Sequence, residues 1–311
     1  MIPARIVGWG VALPDKVVTN ADLEARLDTS DEWIRERTGI RERRHGGTTA
    51  ELAGQAAKTA LQRARISDGS IDLVLLATTT PEQTAPATSA RVQELLGIEC
   101  AAFDLNAACS GFVYALVAAT GLLSVGMRRV LVVGAETLSR ITDPDDRTMA
   151  VLTGDGAGAV VVAKPEEKPS IPSPGLIAWD LGCDGTLRNL LYAEIGGFLH
   201  MDGPEVFRRA VRIVTTSVEK VLADAGVSPQ QVAAFVPHQA NVRIMHAVAD
   251  RVGIPRERVV SVIEHTGNTS AASIPLALAD ALDSGRIREG DLVLFAGFGA
   301  GMTWASALWR W

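Results

Sequence analysis

Cysteine is scarce in this 311-residue chain: Cys100, Cys109 and Cys183 are all it has. An odd set without Cys-x-x-Cys spacing excludes a disulfide framework and a cysteine zinc site, and it fits a reducing cytoplasm. Long apolar runs are also missing, since none approaches the roughly 20 residues of a membrane span. The start, Met1-Ile-Pro-Ala-Arg-Ile6, has no basic segment followed by a long apolar core, so it does not read as a signal peptide. Positive charge is not in excess. The 30 Lys and Arg against 36 Asp and Glu leave a net charge of −6. That gives no whole-surface case for nucleic acid or an anionic membrane. No Walker motif is present, and His45, His200, His246 and His265 show no metal-ligand spacing. Gly154-Asp-Gly-Ala-Gly158 precedes a strand instead of opening a helix after one, so the dinucleotide-binding context is absent.

What is present is ordinary globular composition, 47% hydrophobic and 21% charged, in enough chain for one large domain or two medium ones. Strand-like and helix-like segments alternate from end to end, which predicts an α/β protein. Residues 7–13 read as a strand. Thr29-Ser-Asp-Glu32 has capping-box spacing and opens a short helix at 31–37. Thr48-Thr-Ala-Glu51 repeats that signal before a helix reaching about Ala64. A buried strand is expected at 73–78, a helix at 89–96, and strands at 130–134 and 159–163. The prolines at 164–174 mark the one linker-like stretch.

Beyond that stretch the order of elements starts again. Ile66 and Ile71 are spaced like Val227 and Val232, and the run from Cys109 to Gly126 is matched by Asn268 to Gly285. Both matches have an offset of about 160 residues, as two copies of one unit require. The chain therefore divides into an N-terminal half, 1–168, and a C-terminal half, 169–311. The repeat predicts that Cys109 and Asn268 hold equivalent places, each at the start of a buried helix. His238, after a strand at 232–236, would complete a cluster if the halves pack about a pseudo-twofold axis.

The most informative stretch is Asp104-Leu-Asn-Ala-Ala-Cys109-Ser-Gly-Phe112, where a strand at 101–105 turns into a helix at 112–123. Unpaired N–H groups and the helix dipole favour an anion there, so the Cys109 thiol is expected to have a lowered pKa. A buried, inert cysteine is the plain alternative. His238, in Val236-Pro-His-Gln-Ala-Asn241, is otherwise a structural histidine at a strand end. Asn268, in His265-Thr-Gly-Asn-Thr-Ser-Ala-Ala-Ser273, is otherwise a turn or capping residue. Together the two supply hydrogen-bond donors for an enolate or oxyanion, and a cysteine alongside can carry an acyl group as a thioester. That set suits carbon–carbon bond formation from thioesters and simple acyl transfer alike. The run Gly297-Phe-Gly-Ala-Gly-Met-Thr-Trp304 is either a tight hairpin or a turn whose N–H groups form an oxyanion hole.

Ala107-Ala-Cys-Ser-Gly-Phe112, Pro237-His-Gln-Ala-Asn241 and Gly267-Asn-Thr-Ser-Ala-Ala-Ser273 resemble the β-ketoacyl-[acyl-carrier-protein] synthase III family. So do Thr19-Asn-Ala-Asp-Leu-Glu24, Asp28-Thr-Ser-Asp-Glu-Trp-Ile34, Arg37-Thr-Gly-Ile-Arg-Glu-Arg43 and the glycine-rich terminal turn, so the likeness spans nearly the whole chain. The resemblance implies a thiolase fold, with two pseudo-twofold-related halves in a five-layered α-β-α-β-α arrangement. It implies a cytoplasmic homodimer that starts fatty-acid synthesis by condensing an acyl-CoA primer with malonyl-acyl carrier protein. Cys109 would be the nucleophile, with His238 and Asn268 as the decarboxylation pair. The N–H groups of Cys109 and Ala300 would form the oxyanion hole. Acyl-CoA is a substrate, and no cofactor is implied.

By the same resemblance Trp33 and Arg147 would sandwich the adenine of CoA, and Arg37, Thr38, Gly203, Phe207 and Asn241 would line its pantetheine arm. Arg243 would dock the carrier protein. Arg251, Arg256 and Arg258 extend that basic patch or form a solvated face. Thr153 stands where many members carry Phe, and Ala85 where some carry Phe or Thr reaching across the dimer interface. Both are small, which predicts a roomier acyl pocket for branched or longer primers. The segment 184–199 is shorter than usual for the family, which bears on the loop contacts near the CoA tunnel. The glycine-rich turn lacks the second cysteine of biosynthetic thiolases, and Asn268 replaces one histidine of the elongating synthases. The main rival is a pathway-specific relative, an acyltransferase or ketosynthase of secondary metabolism. A non-enzymatic binding module is more distant, because all three catalytic residue types are intact.

Overall fold

A computed structural model describes residues 1–66, 70–165 and 173–311. The boundary expected near residue 168, and most of the proline-rich stretch, lie outside the described residues. In chain order the strands are β1 (Ile2–Pro3), β2 (Arg5–Ala12), β3 (Val17–Thr19), β4 (Glu42–Arg44), β5 (Leu73–Ala77), β6 (Ala101–Leu105) and β7 (Arg129–Thr137). They continue as β8 (Asp155–Ala163), β9 (Gly175–Cys183), β10 (Leu191–Ala193), β11 (Leu199–Met201), β12 (Val232–Pro237), β13 (Leu292–Gly299) and β14 (Thr303–Arg310). The helices are α1 (Asn20–Glu24), α2 (Asp31–Thr38), α3 (Thr49–Ala64), α4 (Thr88–Leu96) and α5 (Gly111–Ser124). After them come α6 (Arg147–Ala150), α7 (Gly203–Ala225), α8 (Val242–Val252), α9 (Ile263–Thr266) and α10 (Ser273–Asp283).

Two five-stranded sheets result, ordered β2-β8-β7-β5-β6 and β1-β9-β14-β13-β12. In the first, β5 runs parallel to β6 and β7 while β8 is antiparallel to β7 and β2. In the second, β12 is parallel to β13 while β14 is antiparallel to β13 and β9. The runs β2-β8-β7-β5 and β9-β14-β13-β12 thus share one mixed pattern. The N-terminal β1 pairs with β9, Ile2 opposite Leu176, so the first residues of the chain edge the second sheet.

Strand periodicity sorts the apolar side chains into layers. Along β5, Leu73, Leu75 and Ala77 enter a central core, while Val74 and Leu76 face α3. Along β13, Val293 and Phe295 point into the same central core, while Leu292, Leu294 and Ala296 face α7 and α8. The order through the molecule is α3, first sheet, α5 with α10, second sheet, α7 with α8: the five expected layers. The enclosed helix α5 buries Phe112, Val113, Ala115, Leu116 and Ala119 and carries no charge, as a helix between two apolar sheets must. Among the described residues no helix is long and apolar enough to cross a membrane.

The local signals hold with small shifts. Thr48 and Glu51 form the expected capping box on α3. On α2 the cap is Ser30, whose hydroxyl accepts from Trp33 N–H at 3.1 Å, and not Thr29. The Thr29 hydroxyl is buried without a hydrogen-bond partner. β8 begins at Asp155, inside the glycine run, and α5 begins at Gly111 after a short 3₁₀ turn at Ala108–Ser110.

Candidate active site

Two bends of one design build the site. After β6, the Asn106 side-chain oxygen accepts the Ala108 N–H at 3.1 Å, Ala108 takes φ +47°, a 3₁₀ turn follows, and α5 begins. In the second half the Asn268 oxygen accepts the Ser270 N–H at 2.9 Å, Ser270 takes φ +47°, a 3₁₀ turn at Ser270–Ala272 follows, and α10 begins. This corrects the expected pairing. By bend geometry the counterpart of Asn268 is Asn106, and the counterpart of Cys109 is Ala271. Matching back from the helix ends misplaced the register because α5 has 14 residues and α10 only 11.

The bends are fixed against their surroundings. Asn268 N–H donates to Leu152 O at 2.8 Å and Gly154 N–H to Asn268 O at 2.9 Å, which ties it to the start of β8. A Cβ on Gly299 would lie 2.5 Å from Cys109 N, so the end of β13 reaches the cysteine backbone only because Gly299 has no side chain. The hydroxyls of Ser110 and Thr303 both donate to Ala107 O, at 2.6 and 2.9 Å, and tie the turn after β13 to the cysteine turn.

Between these pieces lies a cavity of 380 Å³ whose wall includes Asn106, Cys109, Thr153, Asn268, Ser270 and Ala300. Leu138, Ile141, Met149 and Leu152 make one side apolar, and Tyr192, Leu199 and Met201 of the 184–201 segment close another. His238 is buried and is not among the wall residues. It follows β12, its Nδ1 lies 2.7 Å from the Ser273 hydroxyl, and its ring meets Phe298 edge-on at 5.7 Å. Ser273 opens α10, so His238 is held by the same helix whose approach carries Asn268 and Ser270.

Electrostatics reverse one expectation. Burial pushes the Cys109 thiol up to about 12, against a partial lowering by the Ser270 hydroxyl and a further raise from Glu136. Loss of hydration outweighs the favourable field at the helix start. Burial pulls His238 down to about 3, so its imidazole is neutral at pH 7. The fully buried Glu136 is raised by burial and partly offset by its hydrogen bonds. Among the described residues no group of three His, Cys, Asp or Glu side chains is placed to hold a metal ion.

The residues expected to hold CoA do not line this cavity. The Arg147 guanidinium lies 5.2 Å from the Trp33 ring centroid and donates to Asp28 O at 2.7 Å, so the two stack on each other with no ring-wide gap between them. Thr38 turns its hydroxyl back to Ile34 O at 2.6 Å. Asn241 caps α8 and donates to Arg37 O at 2.8 Å, joining α2 to α8. Arg243 sits over the Phe207 ring at 5.4 Å, one turn beyond Gly203 at the start of α7. Arg256 is paired with Asp250, which offsets its charge, while Arg258 donates to Val232 O at 2.7 Å and keeps its charge. Ala85 is exposed and lines an adjoining cavity with Thr78, Thr79 and Thr80 instead of the one at Cys109.

Four residues of the site were not singled out from sequence: Ser270, Ser273, Glu136 and Phe298. The two serines sit inside a motif chosen for its asparagine. Glu136 had a signal, a carboxylate closing the apolar run Val130-Leu-Val-Val-Gly134.

Residues 103–185 match the family description 3-oxoacyl-[acyl-carrier-protein] synthase III, and residues 222–311 match its C-terminal part. The first stretch holds Cys109; the second holds His238, Asn268 and Ala300. A β-ketoacyl-[acyl-carrier-protein] synthase III of Erythrobacter litoralis is 51% identical over 323 residues, covering 100% of both chains. One from Aquifex aeolicus is 47% identical over 311 residues, covering 99% of each. The crystal structure of the Aquifex aeolicus enzyme superimposes with a TM-score of 0.96 at 46% identity, over 99% of this chain and 100% of that one. The priming β-ketosynthase of the R1128 polyketide pathway gives 0.92 at 39% identity, over 99% and 96%. Two matching bends, a cysteine on one and an asparagine on the other, and full-length likeness at this level lead to one conclusion: the chain belongs to the 3-oxoacyl-[acyl-carrier-protein] synthase III family.

Proposed function

We propose that the chain condenses an acyl-CoA primer with malonyl-acyl carrier protein, with loss of CO₂, and so starts fatty-acid synthesis. The observation that carries this reading is the cavity where Cys109 and Asn268 meet from two equivalent bends, with a neutral His238 behind them. Cys109 attacks the primer thioester and becomes an acyl-enzyme, and CoA departs. Malonyl-carrier protein then loses CO₂, and the resulting enolate oxygen takes hydrogen bonds from His238 and the Asn268 amide. The carbanion attacks the acyl-Cys109 carbonyl, whose oxygen is held by the N–H groups of Cys109 and Ala300. β-Ketoacyl-carrier protein leaves.

A neutral ring suits this role, and Ser273 is placed to fix its tautomer. Gln239 N–H donates to the Ser273 hydroxyl at 3.3 Å. The reaction needs the ring proton on Nε2, and a Ser273 hydroxyl that donates to Nδ1 holds the ring in that tautomer. The Asn268 amide nitrogen is free for the substrate because its oxygen is engaged by Ser270.

The remaining assignments follow the same reading. Trp33 and Arg147 part to take the adenine, with Arg37, Thr38, Gly203, Phe207 and Asn241 along the pantetheine path, and Arg243 receives the acidic carrier protein. The reaction needs no cofactor. Three free cysteines fit the cytoplasm. The free edge of β6 and the exposed Phe103 on it fit a homodimer joined edge to edge. Thr153 on the cavity wall, and Ala85 at such an interface, leave room for branched or longer primers.

Intact-mass spectrometry after mixing with acyl-CoAs tests the reading. An acyl adduct that disappears in Cys109→Ala, with CO₂ released from malonyl-carrier protein, is expected. An adduct without CO₂ release favours simple acyl transfer, and no adduct removes both enzyme readings. In a primer series, a clear preference for acetyl-CoA would contradict the roomier pocket.

A further inference from the structure

The short link Val151-Leu-Thr-Gly154, between α6 and β8, carries two parts of the site at once. Its Thr153 lies on the cavity wall. On one side the link holds Asn268. Leu152 O accepts the Asn268 N–H at 2.8 Å, and Asn268 O accepts the Gly154 N–H at 2.9 Å. Thr153 and Asn268 therefore stand opposite each other as a parallel bridge. On its other side the link is gripped by a segment that the mechanism above leaves unused, Arg43 to Gly46. Arg43 Nη2 donates to Val151 O at 2.8 Å. His45 Nε2 lies 3.1 Å from Thr153 O, and Gly46 N–H donates to the Asp155 carboxylate at 2.8 Å. A carbonyl oxygen only accepts, so His45 Nε2 carries the proton in that contact.

Arg43, on β4, is a costly way to hold a backbone. Its side chain is fully buried and makes no ion pair among the described residues. Its Nη1 donates to Asn20 Oδ1 at 2.8 Å and to Val18 O at 3.2 Å, while its Nε has no hydrogen-bond partner. An apolar side chain of similar volume in place of a buried charge is often neutral or stabilising, so stability alone gives no reason for a guanidinium here. What a planar fork adds is direction, since it fixes acceptors from three separate segments at once. The stem is placed with equal care. A Cβ on Gly267 would lie 3.0 Å from Arg43 Cβ, and one on Gly154 would lie 3.3 Å from it. Gly267 precedes Asn268 and Gly154 follows Thr153, so Arg43 packs directly against the backbone beside both.

We propose that Arg43 and His45 are positioning residues for the decarboxylative step, setting from behind the link where Asn268 presents its amide and where Thr153 walls the acyl chain. This deepens the condensation reading above and rests on it. Neither side chain lines the cavity, and both act through the carbonyls of Val151 and Thr153. The cysteine turn is anchored elsewhere, by the Ser110 and Thr303 hydroxyls on Ala107 O. The two half-reactions should therefore separate. Acylation of Cys109 lies outside the reach of this clamp, and discharge of the acyl-enzyme, which uses Asn268, lies within it.

The test uses full-length wild type, His45→Phe and His45→Gln, with Arg43→Met as a second site. Adduct formation on Cys109 from acetyl-CoA is timed by mass. The acyl-enzyme is then mixed with a range of malonyl-carrier-protein concentrations, and its discharge is timed in the same way. His45→Phe is expected to acylate at the wild-type rate. Its discharge at saturating malonyl-carrier protein should slow about tenfold to a hundredfold, the upper figure being the scale of a misplacement of about 1 Å. The KM for malonyl-carrier protein should stay near its wild-type value. His45→Gln, whose amide can donate to the same carbonyl, should recover most of the rate, and Arg43→Met should show the same split as His45→Phe. Wild-type discharge in His45→Phe, equal slowing of both steps, or no recovery in His45→Gln would overturn the proposal while leaving the condensation reading intact. A wild type that forms no adduct would remove the condensation reading itself, and the proposal with it. His45 is only half-buried, so the His45 pair decides the matter alone if Arg43→Met does not fold.

Discussion

His238 shows how one buried side chain links chemistry to stability. Unfolded, its ring binds a proton near pH 6.5; in the fold burial lowers that to about 3. Between those values the unfolded chain holds more protons, so stability falls as pH drops through the window and is level above it. Urea midpoints measured across that range should fall more steeply for wild type than for His238→Asn; parallel curves would show that the ring is not kept neutral by the fold. Ser273→Ala should leave the ring buried but free its tautomer, slowing malonyl-carrier-protein decarboxylation roughly tenfold to a hundredfold, by analogy with the loss of a partner that orients a metal-bound imidazole. Acylation of Cys109 in the same variant should be little changed, which separates a role on His238 from general damage. At this scale the candidate residues were legible, because Cys109, His238 and Asn268 each sit in a short motif of unusual composition, and the fold brings Cys109 and Asn268 to one cavity. The pKa of Cys109 was not, since its sign depends on how much water the two sheets exclude, and no residue near Cys109 in sequence reports that.

At the scale of elements, the site depends on two identical bends and on the close approach of β13. Gly299→Ala places a methyl where Cys109 N now lies and should cost about 1–3 kcal/mol of stability through overpacking. Its acylation rate should fall further than its denaturation midpoint suggests, because the strand that presents Ala300 is pushed away; unchanged acylation would show that this approach is not needed. Element identity was largely readable: the short continuous apolar runs of β5 and β13, the Thr48 and Glu51 box, and the uncharged α5 all follow from local pattern. Register between the halves was not. Only the backbone conformation at Ala108 and Ser270 reveals which residues correspond, and a positive φ at a non-glycine residue leaves no compositional mark. The displaced cap on α2 has the same origin, since Thr29 and Ser30 are equally competent caps and chain direction chooses between them.

For the whole molecule, five layers leave the first sheet with an uncovered strand, β6, whose Phe103 is 43% exposed. Phe103→Asp should convert the proposed dimer to a monomer in light scattering, with a shift in primer preference if Ala85 lies at that interface; an unchanged mass would place the contact elsewhere. The alternation of strands and helices made an α/β protein of two similar halves legible, and the resemblance supplied the layer order, whereas the crossing of β1 into the second sheet was not legible, because two residues carry no period. The contact between Trp33 and Arg147 has a last consequence. Because the guanidinium already covers the indole, any flat base entering between them must displace a contact of the same kind. Its net gain is the difference between two stacks and not the whole of one. Removing Arg147 would then take away an attraction and its competitor together, so affinity for the nucleotide end of the ligand should respond weakly to that deletion.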